Sequence, residues 1–225
     1  MRTSLPVLAT LGLLAGCTST EYADGWSHIG FGPASPRADM PLAPVLFSFD
    51  EAPGLQGLLY TAMVEAEVAN QYATYALANR DDAEWVRGSI GEILYALDPA
   101  LAPDWSVKET GIVPMWAGAG FGLLRALDDA REEIADAGGR VAGSELTPAI
   151  LECLDDTERR AEQLATLARP ALEGTLAPSG ATLEQILALA RSLNQGAEVG
   201  GAGGGCGLAG AKVYLDRLVP ENAAV

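Results

Sequence analysis

The sequence predicts an all-α fold: a single bundle of five or six helices preceded by an extended Gly/Pro-rich tether. Three observations predict it. From Gly54 onward apolar residues recur at three- and four-residue spacing, which places them on one face of successive helices. Clusters of Pro, Gly and Asp that start or stop helices separate those segments. No alternating run of convincing length occurs outside residues 42–48, so strands have no support.

Residues 18–53 are rich in Gly, Pro, Ser and Asp and lack a sustained period, the composition of a tether. Within them Pro41-Leu42-Ala43-Pro44-Val45-Leu46-Phe47 is apolar enough to dock on the domain in an extended conformation. Leu55, Leu58, Leu59, Ala62, Ala66, Ala69, Ala73 and Ala76 then form a long apolar stripe made mostly of alanine. Such a stripe lets a neighbouring helix approach closely, and Pro53 and Asn79 suit the ends of the element. A second helix is expected from Asp81 to Leu97, with Asp81 and Asp82 at its positive end and Asp98-Pro99 as its stop. Residues 99–117 hold three prolines, two tryptophans and Ile112-Val113. This connection is longer than usual, which points to a binding role or to packing over the bundle.

A third helix is expected over Ala119 to Ala137, ended by Gly138-Gly139. Thr147-Pro148 reads as an N-cap with proline at the first helical position. The helix it opens should turn Ile150, Leu154, Ala161, Leu164 and Ala168 inward and end or kink at Pro170. Thr182-Leu183-Glu184-Gln185 matches a capping box, followed by Ile186, Leu187, Ala190 and Leu193 as an apolar face. Gly196 to Gly207 must be loop, and Leu208 to Val219 gives a last short helix closed by Pro220.

Composition narrows the function. The 225 residues carry a net charge of −16, contain only Lys108 and Lys212 as lysines and hold no basic block. Nucleic acid would be repelled, and no polybasic contact with anionic lipid is available. At the N-terminus Arg2 precedes an apolar run from Leu5 to Ala15 that leads into Leu14-Ala15-Gly16-Cys17. The run is about half of the ~20 residues that span a bilayer. The arrangement resembles the leader and lipobox of bacterial lipoproteins, which implies cleavage before Cys17 and attachment of acyl chains such as palmitate to it. Thr18, rather than Asp, follows the cysteine. By the same resemblance this favours the periplasmic face of the outer membrane in a host with two membranes. The organisation expected is a signal peptide over 1–16, a lipidated N-terminus and tether over 17–53, a helical domain over 54–220 and a C-terminal tail over 221–225. Cys153 and Cys206 would then lie in an oxidising compartment, where a disulfide between them is expected, with two small buried thiols as the alternative.

Catalytic constellations are lacking in the sequence. His28 is the only histidine and sits in the tether, so neither a His-rich metal site nor a Ser-His-Asp arrangement has support. Glu65 and Glu67 on the first helix, Glu92 on the second, and Glu152, Asp155, Asp156 and Glu158 on a later one lack the Glu-x-x-His pairs of carboxylate di-metal bundles. They are expected at solvated or salt-bridged edges, although Glu65 lies close to the apolar stripe. Gly118-Ala119-Gly120-Phe121-Gly122 and Gly200 to Gly207 follow no strand and lack the ending of a phosphate loop. The first reads as a close-packed helix start and the second as a flexible turn around Cys206. Tyr72, Tyr75, Tyr95, Trp85, Trp105 and Trp116 could line an apolar pocket, but most are expected to be core or half-buried surface in a bundle of this size; Trp105 and Trp116 are the foremost binding candidates because they occupy the long loop.

Gly57-Leu58-Leu59-Tyr60-Thr61-Ala62, Glu65-Ala66, Ala96-Leu97-Asp98-Pro99, Gly118 to Gly122 and Gly207-Leu208-Ala209 resemble an uncharacterised family of helical bacterial proteins over most of residues 54–218. Members are rich in histidine along these helices and carry an EF-hand-like loop before the last, which implies metal or haem handling. Here Tyr72 and Tyr95 stand at positions expected to be histidine, and Val199 to Gly205 has no aspartate. The resemblance therefore implies a retained bundle with its metal chemistry lost or replaced.

The function expected is a membrane-anchored, non-enzymatic lipoprotein whose helical domain binds an envelope protein or another partner. The alternative is a periplasmic small-molecule or metal carrier with a pocket lined by Glu65, Tyr72, Tyr95, Trp105 and Trp116. No catalytic residue, metal ligand or cofactor is predicted beyond the covalent lipid on Cys17, and the membrane is reached through that lipid alone.

Overall fold

Apolar stripes that cannot be left in water dictate the architecture, and the computed structural model describes it for residues 42–103, 120–137, 144–174, 178–196 and 205–218. Among these residues the chain is all helical: α1 Ala43–Leu46, α2 Leu58–Ala78, α3 Ala83–Leu97, α4 Leu123–Ala137, α5 Thr147–Leu172, α6 Gly180–Gln195 and α7 Leu208–Leu218. Short 3₁₀ turns at Pro53–Leu55, Pro99–Leu101 and Ser144–Leu146 join or precede them. The six longer helices correspond to the six segments that the periodicity predicts, and α1 is additional.

Helix α2 is the central element. It packs against α1, α3, α4, α6 and α7, and Leu58, Leu59, Ala62, Ala66, Ala69, Ala73 and Ala76 are all buried, whereas Leu55, expected in the same stripe, precedes the helix and is 59% exposed. Neighbours on several sides explain why it is apolar nearly all round rather than on one stripe. Helix α3 folds back on α2, and from Val86 to Leu97 only Arg87 and Tyr95 escape burial. Helices α3, α4, α6 and α7 each touch both α2 and α5, so the two longest helices, of 21 and 26 residues, share one ring of neighbours. Ile150, Leu154, Ala161, Leu164 and Ala168 point inward from α5 as their spacing requires. Side-chain bonds to backbone lock the ring: Asn194 Nδ2 donates to Met63 O at 3.3 Å, and Arg87 Nε to Leu172 O at 3.2 Å.

The ends of the elements depart from expectation for identifiable reasons. Residues 42–47 are not extended. Ala43–Leu46 is one helical turn with Pro at an early position, where proline's fixed φ suits a helix. Leu42, Ala43, Val45 and Leu46 are buried, so the packed core already includes residues expected in the tether. Gly54 and Leu55 take positive φ values of 69° and 56°, which delays the first long helix to Leu58. Gly120 and Gly122 do the same at 70° and 89°, and α4 begins at Leu123 rather than Ala119.

Thr147 is not an N-cap. The Ser144–Leu146 turn runs straight into α5, and the preceding residue, Leu146, is itself helical at φ −83°. Pro170 neither ends nor interrupts α5, which continues to Leu172. The proline lies in the last turn, so the single amide it removes and its crowding of the Thr166 carbonyl affect little downstream helix. Ser179, not Thr182, caps α6, accepting from Thr182 N at 3.2 Å. Asp82 caps α3 by accepting from Glu84 N and Trp85 N at 3.1 and 3.0 Å, a contribution of about 1 kcal/mol.

Candidate functional site

The seam between α2 and α3 is where chemistry-bearing side chains are taken out of water. Glu65 on α2 and Glu92 on α3 are 0% and 2% exposed, which overturns the solvated half of the expectation that these carboxyls sit at solvated or salt-bridged edges. Both helices are enclosed by neighbours, so no solvated edge exists at these positions. Tyr72 follows Glu65 by two helical turns on the same side of α2 and is 4% exposed. Burial, then the negative charge of Glu92, then Tyr75 push the Tyr72 phenol up to about 12. Ser89, one turn before Glu92 on α3, is fully buried, and its Oγ has no hydrogen-bond partner among the described residues. Thr61, one turn before Glu65, satisfies its hydroxyl on Gly57 O at 3.1 Å. Glu67 on a neighbouring face of α2 is raised by partial burial, an effect that the Asn70 amide opposes.

Burying a carboxyl is costly unless its charge is compensated or its proton kept. Two such groups on adjacent helices make this seam the candidate site. Glu92 and Ser89 were absent from the sequence-derived pocket. The signal that could have found them is Gly88-Ser89-Ile90-Gly91-Glu92, where small residues announce a close helix approach that must carry the glutamate inward.

Tyr95 is half-buried one turn beyond Glu92. Its Oη lies 3.1 Å from the point a Cβ on Gly120 would occupy. A Cβ on Gly122 would meet Pro99 Cδ at 2.9 Å, so the chain rejoins the described structure beside the place it leaves after Pro103. Trp105 and Trp116 belong to the intervening segment, and Cys17 and His28 to the N-terminal one; all four lie outside the described residues.

Open recesses of about 370 Å³, lined by Ala43, Pro44, Ser48, Phe49, Asp50 and Glu51, and about 330 Å³, lined by Asp128, Asp129, Arg131, Glu132 and Ala135, occur elsewhere on the surface. Neither includes Glu65, Tyr72 or Tyr95. Arg125 pairs with Glu51 and covers the Phe121 ring at 4.2 Å, while Phe121 meets Phe49 edge-on at 6.4 Å. Arg131 joins α4 to α5 through Asp155 at 3.1 Å and Glu158 at 2.5 Å. These contacts fasten elements together.

A second buried polar cluster surrounds the cysteines. Cys153 on α5 and Cys206 are joined in a disulfide, with Cα atoms 4.9 Å apart. Arg160 Nη1 donates to Ser192 O at 3.1 Å and Cys206 O at 3.2 Å. Asp156 pairs with both Arg159 and Arg160.

At the turn between α2 and α3 the aromatic character reaches the surface. Tyr75 and Trp85 are 45% and 38% exposed, and Tyr75 stands edge-on to Tyr72 at 5.8 Å. Among the described residues no group of three or more His, Cys, Asp or Glu side chains is placed to hold a metal, and no helix is long and apolar enough to cross a membrane. No protein-family model, characterised protein or solved structure matches the chain.

Proposed function

We propose that this chain is an envelope lipoprotein, acylated on Cys17, whose helical domain binds a protein partner through the α2–α3 end and carries out no reaction of its own. The observation that carries the reading is the Cys153–Cys206 bond, because disulfides persist in the oxidising compartments to which a lipobox leader would deliver the domain. Tyr75 and Trp85 supply the binding face, since exposed aromatic side chains are the residues that most often dominate interface energies. Thr18 after the acylated cysteine favours the outer membrane in a host with two membranes.

Two measurements on the full chain in cells test this. An alkyne-bearing fatty acid should label the protein and fail to label Cys17→Ser; equal labelling of the two would remove the anchor. A photo-crosslinking amino acid in place of Trp85 should give a discrete adduct, and one in place of Val213, also exposed at 50%, should not. The same pattern from both positions would remove the α2–α3 end as the interface.

Burial of Glu65, Tyr72 and Glu92 favours a second reading, a carrier for a small cationic or hydroxylated molecule held among the helices. Native mass spectra of the domain from the periplasm should then show extra mass that is lost on denaturation. That mass should be absent from Glu65→Gln/Glu92→Gln. A bare polypeptide mass in the native spectrum would eliminate the carrier.

A further inference from the structure

We draw no further inference here: the strongest candidate, the buried polar seam of Glu65, Ser89 and Glu92 between α2 and α3, belongs to the site already described.

Discussion

Tyr72 reports on the charge state of the seam it shares with Glu92. A phenol whose pKa rises on folding, here from 10.0 to about 12, holds its proton more tightly in the native state than in the unfolded one. The associated stability is fully present below pH 10 and is lost as pH climbs through about 12, a loss of roughly 2 to 3 kcal/mol. Ultraviolet titration of phenolate formation should show a late-ionising tyrosine that disappears in Tyr72→Phe. In Glu92→Gln its midpoint should fall while staying above 10, because burial is the larger cause and the carboxylate the second. An unchanged midpoint would mean that no ionised carboxyl stands beside the phenol. The sequence does place Glu65 next to an apolar stripe, yet its burial could not be read there. Periodicity tells which face a residue shares, not which helices come to enclose it, and α2 is enclosed by α1, α3, α4, α6 and α7.

For the elements, the spacing of apolar positions sufficed to find the six long helices and most of their inner faces, Leu55 being the exception at 59% exposed, because hydrophobic burial acts through spacing. Their ends were harder to read, since they depend on local backbone geometry. Ser179 and Thr182 are both acceptable caps by residue type, and the fold decides between them. Helix α1 was missed because four residues are too few to display a period. The end of α1 is seated on Gly57, where a Cβ would lie 2.6 Å from Leu46 C and 2.7 Å from Phe47 N. Those are backbone atoms, so the clash has no side-chain escape. Gly57 itself has φ −67°, which alanine adopts freely, so Gly57→Ala isolates the contact. We expect a loss of about 1 to 3 kcal/mol in urea unfolding, with proteolysis appearing first within residues 42–57. A variant as stable as the native chain would show that α1 is not seated on α2 in solution.

The molecule as a whole depends on one covalent closure at its C-terminal end. Helix α7 has eleven residues, too few to be stable alone. Leu208, Ala211, Leu215 and Leu218 bury its inner face. At its start a Cβ on Gly207 would lie within 2.6 Å of Asn194 O, so glycine is required for this segment to cross the end of α6. The Cys153–Cys206 bond closes a loop of 53 residues and so restricts the unfolded chain by about 4 kcal/mol. Arg160 adds direction by binding carbonyls on both sides of the crossing. Cys153→Ala/Cys206→Ala should therefore melt roughly 10 °C lower than the oxidised chain, and a thiol reductant should lower the native chain by the same amount without affecting the variant. Hydrogen exchange should locate the earliest opening in α7, with α2 and α3 protected to the end. If reduction lowered the melting temperature by less than about 2 °C, packing and Arg160 would be holding α7, and the bond would serve only as a record of the compartment in which the chain folded.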